Sequence, residues 1–217
     1  MNQQIEKQKK FNRKSESVAD QFRRAGETGN LVKIAILGAL CFVIMQVLRV
    51  PLPFAPPFMT VDFGDVPSLI GGFAMGPVAG VLIQLVKNIL KLFTTDTVGV
   101  GELSNFIVGS VFVISSSMYY KRHKTKRGAL MATVIGTIFM SLVAFLSNAY
   151  FIFPAYAQAI DMDLNQLALS VGQANGLVTD YWTLMFFSVI PFNLAKGTLA
   201  SLVTWLLYKR VSPILHR

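Results

Sequence analysis

Long apolar runs separated by short polar stretches constrain this chain more than any other feature. Residues 31–50, 102–120, 128–153 and 181–209 are each long enough to cross the hydrocarbon core of a bilayer as a helix. A membrane β-barrel would instead show short strands of alternating hydrophobicity. Because 53% of the 217 residues are hydrophobic and only 14% are charged, lipid is the solvent expected for most of the chain. The sequence therefore predicts an all-α integral membrane protein.

Two shorter apolar segments, 65–75 and 77–93, complete a predicted bundle of six transmembrane helices within residues 31–210. The proline-rich stretch 51–65 cannot form a regular helix and predicts a loop. Asp65 is expected to cap the second helix, and the dipeptide Gly76-Pro77 separates the second helix from the third.

The charge pattern predicts which side each loop faces. Loops 51–65, 95–102 and 152–181 contain acidic residues and no Lys or Arg, whereas basic residues cluster in residues 121–127 and near both ends of the chain. Positive loops stay on the cytoplasmic side, so both termini are expected to be cytoplasmic. The same clustering argues against nucleic-acid binding, because that function needs a basic face on a soluble surface, despite the net charge of +9.

These observations divide the chain into a basic cytoplasmic tail over residues 1–30, a membrane domain over residues 31–210 and a cytoplasmic C-terminal tail over residues 211–217. The long external connection 154–180 carries apolar residues at roughly helical spacing. We expect it to contain a short amphipathic helix lying over the external face, and its length is typical of a lid. We expect the chain to lie in the cell membrane of a bacterium and to cross it several times.

Motifs for covalent chemistry are absent from the sequence. It contains no H-E-x-x-H, G-x-S-x-G or C-x-x-C motif, and no G-x-x-x-x-G-K-[ST] loop for nucleotide phosphates. His123 and His216 lie far apart in polar segments, and Cys41 stands alone in an apolar run. No catalytic residue, metal site or ATPase activity is predicted for this chain.

Polar residues at membrane depth are costly to bury and are therefore candidates for function. Lys196 lies too deep in the last helix to reach the outer surface easily, and Asn193 shares its face. Asn148 adjoins aromatic residues, which suits a flat heteroaromatic ligand. The alternatives are a structural lysine paired with a carboxylate or helix dipole, and an intramembrane peptidase or lipid-modifying enzyme that uses buried Lys and Asn residues. Lys91, nearer a helix end, is expected to extend to the surface.

Small residues give a separate signal in the first helix. Ala35, Gly38 and Ala39 place an A-x-x-x-A face there, and such faces allow helices to approach closely. This spacing fits packing within the bundle as well as docking to another membrane subunit.

The chain resembles the substrate-binding S components of energy-coupling factor (ECF) vitamin transporters, and among them the riboflavin-specific subunits. The segments that carry the resemblance are A-I-L-G-A (35–39), V-D-F-G-D-V-P (61–67), G-P-V-A-G (76–80), V-K-N-I-L (86–90), G-E-L-S-N (101–105) and I-P-F-N-L-A-K-G (190–197).

The resemblance implies a six-helix subunit that captures the vitamin externally and docks through its A-x-x-x-A face to a transmembrane coupling subunit that carries two ATPases. It implies that Asn148, Asn193 and Lys196 hydrogen-bond the flavin ring. It also implies that four further residues lie close to the ligand, namely Met59, Thr60, Val61 and Asn105. The flavin is cargo, not a cofactor, and the resemblance leaves riboflavin and flavin mononucleotide both open.

Overall fold

The structure is a computed structural model that describes residues 17–56 and 58–215, with side chains as far as residue 207. It is mostly helical. The helices are α1 (Val18–Ala25), α2 (Thr28–Val47), α3 (Asp65–Met75), α4 (Pro77–Leu92), α5 (Val100–Arg122), α6 (Lys126–Ser147), α7 (Phe153–Ala159), α8 (Leu164–Gly172), α9 (Tyr181–Leu184) and α10 (Ile190–Leu215). Two π-helical turns, Asn148–Ile152 and Met185–Val189, lie between α6 and α7 and between α9 and α10.

The long helices pack in a closed sequence around the core. Helix α2 packs against α4, α4 against α3 and α5, α5 against α6, and α6 against α10, which returns to α3. Large apolar side chains fill the centre, among them the fully buried Leu69, Phe112 and Met140. Phe73 stacks on Tyr120 with ring centroids 4.4 Å apart. Burial of this apolar surface between helices fixes their relative positions.

The break between α3 and α4 lies where the sequence predicts it. Gly76 has φ +100°, a conformation that costs glycine little, and Pro77 occupies the first helical position of α4. A Cβ on Gly80 would meet the side chain of Val113, so the glycine lets α4 lie close to α5. Local backbone chemistry therefore divides this region into two helices of 11 and 16 residues.

A helix occurs in each of the segments predicted from the sequence. Within the described residues, four helical stretches are long and apolar enough to cross a membrane, namely Thr28–Val47, Val100–Arg122, Lys126–Ala159 and Tyr181–Leu207. The described fold is thus a mostly helical membrane protein with four candidate spans. The count of six spans and the side on which each terminus lies stay predictions.

The proline-rich connection after α2 is more ordered than the predicted loop. Strand β1 (Arg49–Pro51) pairs antiparallel with β2 (Thr60–Asp62), with Val50 opposite Val61. Proline excludes a helix here but tolerates the end of an edge strand, so the predicted non-helical connection includes a short strand pairing. The pairing fixes which side chains of β2 face the bundle.

Asp65 does not cap α3. The N-cap is Gly64, and Asp65 is the first residue of the helix itself. Its carboxylate instead accepts hydrogen bonds from Gln84 and Lys87 on α4. The predicted cap was wrong because tertiary partners compete for this carboxylate.

The two predicted tails are only partly within the described residues. Residues 17–25 include helix α1, whose capping box joins Ser17 and Asp20. At the other end α10 continues to Leu215, so residues 211–215 extend the last helix. Residues 1–16 and 216–217 lie outside the described residues.

The connection 154–180 contains the predicted amphipathic helix. Helix α8 buries Leu167, Ala168 and Val171 in a cluster with residues of the π-helical turns. The apolar spacing seen in the sequence therefore reports a real packing face. Whether the connection moves as a lid stays a prediction.

Candidate functional site

A cavity of about 110 Å³ lies where β2 and α5 meet the first π-helical turn and the first turns of α10. Its wall combines amides, hydroxyls, one lysine, thioethers and aromatic rings. The lining residues are Met45, Phe58, Met59, Thr60, Asp62, Gly101, Ser104, Asn105, Val108, Asn148, Phe192, Asn193 and Lys196.

Most of the predicted ligand-binding residues converge on this one cavity. Asn148, Asn193 and Lys196 line it although they are far apart in sequence, and they are joined there by Met59, Thr60 and Asn105.

Val61 is the exception among the predicted residues. It is 1% exposed and packs with Ala55 and Phe192 in a separate apolar cluster. Side chains alternate along a strand, so Thr60 and Asp62 face the cavity and Val61 faces away from it. Val61 is therefore not among the residues that line the cavity, and its place close to the ligand stays a prediction.

Each of the two asparagines of the site lies in or shortly after a π-helical turn. Asn148 opens the turn that follows α6, and its Nδ2 donates to the carbonyl of Ala144. Asn193 follows the second turn, and its Nδ2 donates to the carbonyl of Val189 at 2.8 Å. Each side-chain amide has two N–H donors and one carbonyl acceptor, so these helix contacts use only part of its capacity.

The first π-helical turn is tied to α9 by hydrogen bonds from a tyrosine. Tyr181 Oη donates to the carbonyl of Ala149 at 2.6 Å and lies 3.3 Å from the carbonyl of Asn148. A π-helical turn frees carbonyls from the regular ladder, and such turns are frequent at functional sites. The tyrosine therefore satisfies backbone groups that the irregular geometry exposes and fixes the position of Asn148.

Among the described residues, the charged side chains on the cavity wall are those of Lys196 and Asp62. The lysine Nζ donates to Asn105 Oδ1 at 2.9 Å and to Asp62 Oδ2 at 3.2 Å, and it lies 3.2 Å from Asp65 Oδ2. The structure therefore contains the lysine–carboxylate pairing that the sequence left open as an alternative. The same lysine also lines the cavity, so the two interpretations are not exclusive.

A second lysine extends this network away from the cavity. Lys87 Nζ lies 2.6 Å from Asp65 Oδ1, and Gln84 Nε2 donates to the same oxygen at 2.8 Å. The chain of contacts Lys87–Asp65–Lys196–Asp62 thus contains two positive and two negative charges. Charges removed from water are tolerated when they are paired and hydrogen-bonded, so this neutral network is what allows Lys196 to sit at the site.

Sequence reasoning missed the role of Asp62 and Asp65. They counted as acids of an external loop, but they are 2% and 1% exposed. Their position is set by pairing of β2 with β1 and by packing of α3 on α4, which no local pattern reveals. The available signal was the presence of two acids in one short apolar stretch, matched by buried lysines elsewhere.

Lys91 belongs to a different environment at the end of α4. Its ammonium lies 3.2 Å from the carboxylate of Asp96 in the loop before α5. Lys91 itself is only 4% exposed, so the expectation that its side chain extends to the surface was wrong. Arg49 contacts the same carboxylate at 3.1 Å. Hydrogen bonds from Lys91 and then Arg49 hold the pKa of Asp96 below its usual value.

The predicted docking residues divide into two groups. Ala35 and Ala39 are exposed on α2. Gly38 is buried, and a Cβ there would lie 2.5 Å from Cγ1 of Val86 on α4. Gly38 therefore serves close packing within the bundle, and its part in a docking face stays a prediction.

The cavity offers recognition chemistry. Its amides, hydroxyls and ammonium group present donors and acceptors, while Phe58, Phe192 and the methionines provide flat apolar contact surface. Within residues 17–56 and 58–215, no group of three His, Cys, Asp or Glu side chains is placed to hold a metal ion.

Comparison with known proteins then decides the family. Residues 29–208 match the ECF transporter substrate-specific component. The chain belongs to this family. It is a family of transporter components, and the alternative of an intramembrane enzyme gains no support.

Relatives extend the likeness over most of the chain. The chain is 34% identical over 187 residues to the riboflavin transporter RibU of Staphylococcus aureus (strain TCH60), covering 86% of this chain and 92% of the relative. It is 29% identical over 187 residues to the riboflavin transporter FmnP of Bacillus subtilis (strain 168), covering 84% and 92%.

A solved structure supports the fold of this S component. A chain described in work on the structure and mechanism of the S component of a bacterial ECF transporter superposes with a TM-score of 0.66 at 32% identity. The match covers 86% of this chain and 97% of the solved chain. The likeness therefore extends over nearly all of the solved S component.

Proposed function

We propose that this chain binds riboflavin in the cavity and, as the substrate-specific subunit of an ECF-type importer, delivers the vitamin inward with ATPase-coupled partners. The observation that carries the proposal is the convergence of Asn148, Asn193 and Lys196 on one cavity. The names of the RibU and FmnP relatives support riboflavin as the cargo.

The chemistry of the wall suits a flavin ring. The pyrimidine edge of the ring alternates hydrogen-bond donors and acceptors, which Asn148 and Asn193 complement with free amide capacity. Lys196 supplies a donor to a ring carbonyl or nitrogen. Phe58 and Phe192 cover the flat apolar faces of the ring, while Met59, Thr60 and Asn105 lie close enough to contact the vitamin.

The charge balance favours riboflavin over flavin mononucleotide. The cavity wall carries Lys196 as a positive charge, but Asp62 and Asp65 already neutralise it. A phosphate dianion brought to this wall adds negative charge beside two carboxylates, whereas riboflavin is neutral. We therefore expect riboflavin to bind more tightly than its phosphate ester.

The partners follow from the family. We propose that a transmembrane coupling subunit docks on α2 through the exposed Ala35 and Ala39, and that two ATPase subunits supply the energy. The apolar residues Ile36, Leu40 and Val43 extend this exposed face. We propose no cofactor and no nucleic-acid partner for this chain.

The topology completes the proposal. Six spans, with α3 and α4 as short members, place both termini in the cytoplasm of a bacterium and the cavity toward the outside. The basic cluster at 121–127 and the acidic external connections support this orientation.

The test of ligand identity is direct. Purified protein is expected to quench the fluorescence of added riboflavin with saturating, one-to-one stoichiometry, and to show flavin absorbance when isolated from riboflavin-containing medium. A colourless protein that leaves riboflavin fluorescence unchanged would contradict the assignment. Uptake of riboflavin by cells should in addition require the coupling and ATPase subunits, which neither an enzyme nor a structural subunit needs.

A further inference from the structure

A second depression lies on the outer surface of the bundle, away from the cavity described above. It is a groove of about 390 Å³ between α5 and α6, both of which are candidate membrane spans. Its wall is almost entirely apolar and consists of Val111, Ile114, Ser115, Met118, Ile135 and Phe139.

Close approach of the two helices creates the groove. A Cβ on Gly136 would lie 2.9 Å from Cδ2 of Phe112 and 3.0 Å from its carbonyl oxygen, so the backbones almost touch at this level. The larger side chains of Met118 and Phe139 stay outside the contact and are 56% and 51% exposed. They form the sides of a furrow that faces the hydrocarbon.

Ser115 is the polar side chain among the described residues that line the groove, and its hydroxyl already has a partner. Ser115 Oγ donates to the carbonyl of Val111 at 2.6 Å, within its own helix. The groove therefore presents no donor of its own to an occupant, and its shape and depth fit a hydrocarbon chain.

Positive charge lies at the end of this groove. Helices α5 and α6 are joined by the sequence K-R-H-K-T-K-R (121–127), which contains no acidic residue. Met118 is four residues from Arg122, or about 6 Å along the helix. The side chains of Arg122, Lys124 and Arg127 are exposed there.

An aromatic residue marks the depth of this basic cluster. Lys126 Nζ lies 3.8 Å from the ring centroid of Trp205 on α10. Tryptophan is enriched at the level of lipid headgroups, and a lysine over its ring is favourable there. The positive charges are thus placed where the phosphates of one leaflet lie, and the groove runs from them into the hydrocarbon.

We propose that the α5–α6 groove and the 121–127 cluster together form a binding site for an anionic phospholipid. One acyl chain lies in the groove, and the phosphate is held by Arg122, Lys124 and Arg127. The groove alone accepts any acyl chain, so the basic cluster is what selects a negative headgroup. This site is independent of the riboflavin proposal.

The test uses the full chain in mild detergent, titrated with phosphatidylglycerol or phosphatidylcholine of identical acyl chains, with bound lipid counted by native mass spectrometry. Phosphatidylglycerol should bind about tenfold more tightly. The double variant Arg122→Gln/Arg127→Gln should lose that preference, whereas the matched double variant Arg23→Gln/Lys33→Gln should keep it. Equal binding of the two lipids, or equal loss in both variants, would overturn the proposal.

A second pair of variants tests the acyl chain. Ile135→Trp fills the groove and should lower binding of both lipids several-fold, while Ile138→Trp, on the neighbouring lipid-facing surface, should leave binding unchanged. Inorganic phosphate at millimolar concentration should not displace phosphatidylglycerol. Displacement by phosphate, or indifference to Ile135→Trp, would show that the cluster binds an anion without the groove and would refute a lipid site. Monodisperse elution of each variant shows that it has folded.

Discussion

Two buried lysines that pair with aspartate, one at the candidate site and one outside it, differ in the surroundings of their partners. Lys196 and Lys91 are both nearly buried, at 6% and 4% exposure, and both pair with aspartate. The partners of Lys196 are themselves buried, whereas Asp96 beside Lys91 has a side chain that is 68% exposed. Water can therefore reach the carboxylate that pairs with Lys91, but not the carboxylates that pair with Lys196.

This difference in the exposure of the partner indicates which buried charges need a fixed environment. A charge that can reach water costs little and constrains little. A charge held away from water needs a fixed set of partners, and Lys196 has such a set at the wall of a cavity. Burial of the partner, not burial of the lysine, separates the two.

The largest expected effect is on stability. Asp65→Asn should lower the free energy of unfolding by about 3–5 kcal/mol, because it removes the carboxylate that Lys87 and Lys196 share. The matched variant Asp96→Asn should cost less than about 1 kcal/mol. Thermal unfolding in detergent measures both. Equal shifts in the two variants would remove the distinction between the networks.

The next effect is on ligand binding. Lys196→Ala should weaken riboflavin binding by about 1–3 kcal/mol, since it removes a buried donor. Lys91→Ala should leave the affinity unchanged, because Lys91 contacts Asp96 and does not line the cavity. Fluorescence quenching titrations measure both affinities. An unchanged affinity in Lys196→Ala would exclude that lysine from the site.

A pair of asparagines provides a finer version of the same comparison. Asn193 and Asn88 are both 4% exposed, and each donates to a carbonyl four residues earlier in its helix. Only Asn193 lines the cavity. Asn193→Ala should therefore weaken riboflavin binding by about 1–3 kcal/mol, while Asn88→Ala should not change it. Equal affinities in the two variants would refute the assignment of Asn193.

The smallest expected effect is a pH dependence of stability that comes from the pair of Lys91 and Asp96. Lys91 and Arg49 lower the folded pKa of Asp96, so its contribution to stability is present above the unfolded pKa of about 4 and is lost as pH falls through the lower folded value. The stability difference between wild type and Asp96→Asn should be below about 1 kcal/mol at pH 7 and should shrink toward pH 3. A difference that grows on acidification would contradict the assigned pairing.

The sequence predicts the elements of the site better than their orientation. Asn148, Asn193 and Lys196 stand out because polar groups are costly at membrane depth, and that cost is visible in one dimension. The side to which Val61 points depends on the pairing of β2 with β1. The close approach of Gly38 to Val86 depends on how α2 crosses α4.

The partners of Lys196 were the main feature beyond reach of the sequence. Asp62 and Lys196 are separated by 134 positions, and their contact exists only once β2 packs against α10. Local patterns fix helices and caps, whereas a buried charge network is a property of the whole bundle.

A structure of the chain with riboflavin bound would show whether the cavity is the riboflavin site. We expect the flavin ring in the cavity, with its pyrimidine edge within hydrogen-bonding distance of Asn148, Asn193 and Lys196, and with Asp62 and Asp65 still paired with the lysine. A flavin bound elsewhere on the bundle, with this cavity empty, would contradict this expectation.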